Sequence, residues 1–176
     1  MTEPLRIVTL CTGNAARSVM AGCMLERLAR PERPLALTTA GTHAIEGQPI
    51  SLRTRAALAS IPELEPLSAS THRSHQLAEG DLEWAELVIA MEADHVRYVR
   101  RWYPGAAGRT ATLRCLAEHL PGPSGPLAGR LATLDLAEAA LDPADDVLDP
   151  AGGDEAVYVA CAKELWGLSQ SLVDRL

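Results

Sequence analysis

The chain has 176 residues, 47% of them apolar, and a formal net charge of −7. That length suits one domain with a sizeable core, and that composition excludes a disordered chain. The acidic balance argues against binding nucleic acid or an anionic membrane surface.

Strand and helix signals alternate from the start. The apolar run Leu5–Leu10 predicts a buried strand, and "RSVMAGCMLERLAR" predicts a helix over about Ser18–Ala29 with Met20, Cys23, Met24 and Leu28 on one stripe. "PLALTTAG" reads as a second strand ending at Gly41, and "SLRTRAALAS" as a helix. Ala85–Met91 is apolar on both faces, as a central parallel strand requires. "EADHVRYVRRWY" is the helix after it, and "TATLRCL" reads as a fourth strand. Residues 121–146 hold four prolines, three glycines and one short helical stretch, "LATLDLAEAAL". They read as an excursion over the surface. Asp154–Leu176 is an amphipathic helix with Val157, Cys161, Leu165, Leu168 and Leu172 inward. Strands separated by helices predict an α/β fold, one three-layer domain over residues 1–176 with a parallel sheet and helices on both faces.

No apolar run approaches the roughly 18 residues of a membrane span. The opening "MTEPLRIVTL" has neither the basic start nor the cleavage site of a secretion signal, so a cytoplasmic protein is expected. Cys11, Cys23, Cys115 and Cys161 show neither CxxC nor His–Cys spacing, so no zinc and no thioredoxin-type pair is expected. Cys23, Cys115 and Cys161 lie in apolar patterns and read as core.

Cys11 is different. It ends the first strand, and Thr12, Gly13, Asn14, Ala15 and Ala16 separate it from Arg17 and Ser18, where a helix opens. Small residues let successive N–H groups turn inward as an anion nest. The helix N-terminus adds partial positive charge. Arg17 can offer two parallel donors to one phosphoryl group. The stretch therefore reads as a phosphate cradle with a sulfur at its floor, and not as a Walker loop, since Gly-Lys-Ser/Thr is absent. The same positive surroundings favour the thiolate, the form that attacks. Ser18 is placed to donate a hydrogen bond to it. Such a nucleophile needs a general acid for the leaving oxygen. Two Asp-Pro pairs are available, Asp142-Pro143 and Asp149-Pro150. The second sits in a glycine-rich turn directly before the last helix, while Asp142 reads as turn chemistry.

With these parts in hand, the chain resembles the low-molecular-weight protein tyrosine phosphatase family. "CTGNAARS" and "DPAGGDEAVY" match its two signature segments in order. "TAGTHAIEGQP", "THRSHQL" and "DLEWAELVIAMEADH" extend the likeness over nearly the whole chain. The resemblance implies a single domain with a four-stranded parallel sheet and hydrolysis of phosphate monoesters through a cysteinyl-phosphate, with no metal and no cofactor. It implies Cys11 as nucleophile, Arg17 as phosphate clamp, Ser18 as support for the thiolate and Asp149 as general acid and then base. Asn14 shapes the loop, and His72 matches a histidine that supports it. The implied partners are a phosphorylated protein or small phosphate ester, with inorganic phosphate or sulfate held in the loop, and neither nucleic acid nor membrane. Residues 121–146 look inserted.

Departures are as informative. Ala15 and Ala16 stand where the family usually carries a bulky aliphatic residue and a second cysteine, and Val19 replaces the usual proline. Ile45 and Ala151 stand where many members place aromatic pocket walls, which puts phosphotyrosine preference in question. The "DVLDPxGG" form also resembles the bacterial protein-arginine phosphatase branch, which has threonine at the Ala15 position. A small-molecule phosphatase of the same fold is a further alternative. An arsenate reductase would need two more cysteines near mid-chain, and a non-catalytic phosphate-binding module would need neither Cys11 nor Asp149.

Overall fold

The computed structural model describes residues 3–64 and 69–176. Its centre is a four-stranded, all-parallel sheet in the order β2-β1-β3-β4, formed by β1 (Leu5–Cys11), β2 (Leu35–Gly41), β3 (Leu87–Ala90) and β4 (Thr110–Thr112). Side chains of β1 alternate between two cores, as the twofold period of a strand requires. Ile7 and Cys11 face the larger one, while Val8 and Leu10 face the smaller. The helices α1 (Arg17–Leu28), α2 (Leu52–Ala59), α5 (Leu113–His119) and α7 (Glu155–Val173) pack around the larger core, with α7 running against the other three. The smaller core lies under α3 (Glu79–Trp84) and α4 (Ala93–Trp102).

Several expectations change. "TATLRCL" is strand only at Thr110–Thr112; from Leu113 it is helix α5. The reason is local. The Thr112 hydroxyl accepts the Cys115 N–H at 3.2 Å and caps the helix, so the apolar residues Leu113, Leu116 and Ala117 bury at helical spacing. Helix α3 was not evident in the sequence; the Asp81 carboxylate accepts the Ala78 N–H at 2.8 Å and closes its first turn. On α7, Tyr158 is buried and Val157 is exposed, so the inward stripe starts one residue later.

Within residues 121–146 the helix is α6 (Leu127–Ala132), ahead of the expected 131–141, with a 3₁₀ turn at Pro143–Asp145. The segment is anchored. Leu131 and Leu136 enter the larger core, and Arg130 donates to the carbonyls of Pro121 and Arg175.

Strand order places β2 and β3 on opposite sides of β1, so the connections leaving the carboxyl ends of β1 and β3 run to opposite faces. That divergence is where open α/β sheets form a crevice for ligands. Residues 12–16 lie there, at the end of β1.

Candidate active site

The turn from β1 to α1 is built so that its carbonyls face outward. Cys11 O accepts Thr42 N, and Thr12 O accepts His43 N, each at 2.9 Å. Asn14 O accepts His72 Nε2 at 2.9 Å, Ala15 O accepts the Thr54 hydroxyl at 3.0 Å, and Ala16 O accepts Met20 N at 2.8 Å. With five carbonyls occupied by these partners, the loop has the polarity an anion nest requires. Asn14 makes the turn with φ of 50°, a conformation open to asparagine at small cost. Gly41 backs the loop closely: a Cβ there would lie 2.5 Å from Thr12 O and 2.9 Å from Asn14 N.

The Cys11 sulfur lies on the floor, 3.0 Å from the Ser18 hydroxyl. Asn14 holds that hydroxyl in place. Its Nδ2 donates to Ser18 Oγ at 3.0 Å and to Thr39 Oγ1 at 2.8 Å, while its Oδ1 accepts His75 N at 2.9 Å. Ser18 Oγ already accepts, so its hydrogen is free to point at the sulfur. Burial pushes the thiols of Cys23 and Cys161 up to about 11 and about 12, so they stay protonated. His72, whose pKa burial lowers, donates from Nε2 because Asn14 O can only accept.

Arg17 is 2% exposed and has two carboxylate partners. Its Nη1 meets Glu92 Oε2 at 2.5 Å and donates to the Val147 carbonyl at 2.9 Å; its Nη2 meets Asp149 Oδ2 at 2.8 Å. Burial opposes the guanidinium charge, yet Glu92 and Asp149 outweigh it and hold the Arg17 pKa above its ordinary value. Glu92 is 24% exposed and Asp149 45%, so Glu92 is the inner anchor and Asp149 the outer partner. His95, pushed down to about 4 by burial and the Arg17 charge, is neutral; its Nε2 lies 2.9 Å from the Thr12 hydroxyl.

The pocket over Cys11 has a volume of about 150 Å³. Gly13, Ala15, Ala16 and Arg17 form its loop side, Ser51 and Thr54 come from the start of α2, and Asp149, Ala151 and Tyr158 close the other side. Cys11, Arg17 and Asp149 are thus brought together across more than 130 residues. Ala151 lines the pocket. Ile45 does not; it is 73% exposed on the loop after β2. Asp142 caps its own turn by accepting Ala144 N at 2.8 Å and stands away from the sulfur.

Three contributors were not singled out in the sequence. Glu92 could have been, since it follows β3 at the carboxyl edge where ligands bind. His95 could not be separated from the polar residues of its helix, and Tyr158 was masked by the expectation of an inward Val157. Among the described residues no group of three or more His, Cys, Asp and Glu side chains is arranged to hold a metal ion. No described helix is long and apolar enough to cross a membrane.

A profile of the family described as low molecular weight phosphotyrosine protein phosphatase matches residues 6–124. A protein-arginine-phosphatase of Geobacillus stearothermophilus is 31% identical over 98% of this chain and 94% of its own length. One of Bacillus subtilis (strain 168) is 28% identical over 97% and 95%. The solved low molecular weight protein tyrosine phosphatase of T. tengcongensis superimposes with a TM-score of 0.77 at 29% identity, over 98% of this chain and 99% of that one.

Proposed function

The chain belongs to the low molecular weight phosphotyrosine protein phosphatase family, and from there we propose that Cys11, Arg17 and Asp149 carry out phosphomonoester hydrolysis through a cysteinyl-phosphate. The observation that carries this reading is the loop in which five carbonyls are tied to neighbouring groups around a sulfur 3.0 Å from a serine hydroxyl. Inward N–H groups and Arg17 hold the non-bridging phosphoryl oxygens. The Cys11 thiolate attacks phosphorus, the bond to the ester oxygen breaks, and Asp149 gives that oxygen a proton. Water then attacks phosphorus, Asp149 takes its proton, the S–P bond breaks and inorganic phosphate leaves.

The outer position of Asp149 suits this sequence of events. A phosphoryl oxygen arriving at Arg17 Nη2 competes with Asp149 Oδ2, while Glu92 and the Val147 carbonyl keep Nη1 in place. Asp149 is then released towards the leaving oxygen. The ligand supplies the trigger, because it binds only the state in which Nη2 is free.

A second reading concerns the substrate. Two relatives bear the name protein-arginine-phosphatase, and the pocket wall is Ala15, Ala151 and one tyrosine instead of a pair of rings. These features favour phosphoarginine in a protein as a substrate beside phosphotyrosine. A cytoplasmic setting belongs to the same reading, supported by four free cysteines.

The test is hydrolysis of p-nitrophenyl phosphate and of phosphotyrosine, phosphoserine and phosphoarginine peptides by the purified chain. Activity that survives EDTA and is lost in Cys11→Ser is expected. Strong EDTA sensitivity, or a fully active Cys11→Ser, refutes the mechanism.

A further inference from the structure

We infer that His75 is a positioning residue of the phosphate loop and that its ring is a proton-dependent clamp: when protonated, it ties the connection after β2 to helix α3 across the backbone that holds Asn14. The inference rests on the phosphatase reading above and adds a means of regulating that site.

Both ring nitrogens of His75 face carboxylates. Nδ1 lies 3.2 Å from Glu46 Oε1, and Nε2 lies 2.8 Å from Asp81 Oδ2. Among the described residues no other histidine meets two carboxylates. Ionised carboxylates only accept, and a neutral imidazole carries a single N–H. A neutral ring would leave one nitrogen with its lone pair aimed at a carboxylate oxygen; only the imidazolium donates to both. Burial opposes the charge, yet the bonds to Glu46 and Asp81 outweigh it and hold the His75 pKa above its ordinary value. Glu26 of α1, His72 and Arg73 line the same depression. Of these, His72 donates to Asn14 O and Arg73 to the His72 carbonyl.

The main chain of the same residue holds the loop. His75 N donates to Asn14 Oδ1 at 2.9 Å, and His75 O accepts Gly41 N at 2.9 Å. Asn14 is fully buried and passes the restraint on: its Nδ2 donates to Ser18 Oγ, which lies 3.0 Å from the Cys11 sulfur. The two partners of the ring belong to different pieces of chain. Glu46 also accepts Gln76 N at 2.8 Å, and Asp81 also accepts Ala78 N at 2.8 Å. Loss of the ring proton removes one of the two ties. Residue 75 then gains freedom, and the loop spends less time in its phosphate-binding form. Because the folded pKa is raised, the clamp is complete below about pH 6.5, the value of an unfolded histidine. It is lost as pH rises through the folded value.

The experiment compares wild type, His75→Arg and His75→Gln in p-nitrophenyl phosphate hydrolysis from about pH 5.5 to about pH 9, a range that spans the titration of a histidine. Arginine keeps its charge throughout and can donate to both carboxylates. Taking kcat/KM of each variant relative to wild type at the same pH cancels the titrations of Cys11, Asp149 and the substrate. The His75→Arg ratio should be near one at the acid end and rise about threefold at the alkaline end, the effect of one partly exposed ion pair. The His75→Gln ratio should start about threefold below one and approach one as pH rises. A role in packing alone predicts ratios that do not change with pH, and that result overturns the clamp while leaving the phosphatase reading intact. No hydrolysis by wild type overturns the phosphatase reading and the clamp with it. If the His75 variants do not fold, proton NMR titration of the wild-type histidine rings decides. The His75 ring should titrate above about pH 6.5 and move down in Asp81→Asn; a set of ring titrations unchanged by Asp81→Asn overturns the proposal.

Discussion

Replacing Glu92 by glutamine removes one of two negative charges that hold a cation taken almost completely out of water. Arg17 is 2% exposed, and Glu92 Oε2 sits 2.5 Å from its Nη1. Removing one partner of a buried ion pair costs about 3–5 kcal/mol, because the other charge is left uncompensated. Two features reduce the loss here. Glu92 is itself 24% exposed, and Asp149 still faces the guanidinium at 2.8 Å. The expected destabilisation is therefore about 2 kcal/mol. Small proteins lose about 2 kcal/mol of stability per molar urea, so the unfolding midpoint should fall by about 1 M. Inhibition by inorganic phosphate should also weaken by about tenfold, since Arg17 is no longer fixed for its ligand. The control is Asp94→Asn. The Asp94–Arg97 contact is also 2.5 Å but lies in solvent, 79% and 55% exposed, and such pairs contribute little. An unchanged midpoint in Glu92→Gln, or an equal fall in Asp94→Asn, refutes the view of Glu92 as the inner anchor.

Gly41→Ala should depress hydrolysis of p-nitrophenyl phosphate by about a hundredfold, because its Cβ would lie 2.5 Å from Thr12 O and displace the loop, whereas Gly105→Ala meets nothing within 4 Å and should be neutral; comparable rates in the two variants contradict this. His95 couples folding to pH. Its folded pKa is pushed down to about 4 by burial and then by Arg17, against about 6.5 in the unfolded chain. The unfolded chain therefore takes up the proton first, and this contribution is full above about pH 6.5 and is lost as pH falls towards 4. His95→Gln should show a shallower loss of urea stability across that window, and equal slopes would count against a neutral buried ring. Asp149→Ala should slow hydrolysis by about 10²–10⁴-fold for poor leaving groups and much less for p-nitrophenolate, which leaves without a proton. Asp142→Ala should do little; if the two variants exchange effects, the acid is misassigned.

The parts of the molecule that local physics dictates were legible in the chain. Ile7 to Cys11 and Leu87 to Met91 are apolar on both faces, and only a strand with helices on both sides buries such a run. The loop was equally readable, because an anion nest depends on small residues in an unbroken run followed by a helix start, and Cys11 to Ser18 supply both. Where competing local signals were close in strength, a cap three residues away decided: Thr112 turned Leu113–Leu116 from expected strand into helix. The site's distant members were a different matter. Asp142 and Asp149 each precede proline; the sequence favours Asp149 by its glycine-rich turn before the last helix, but carries no sign that it meets Arg17. That meeting comes from the path of residues 143–149, which the Asp146 carboxylate and the Val147 N–H tie to Ala93 and Met91, at the end of β3. Glu92 reaches Arg17 from the same edge, 75 residues along the chain. Charge pairing and pocket walls depend on through-space distances of a few ångströms, and sequence separation carries no record of them. That is why Cys11 and Arg17 could be read from spacing, while Glu92 and Tyr158 had to wait for the fold.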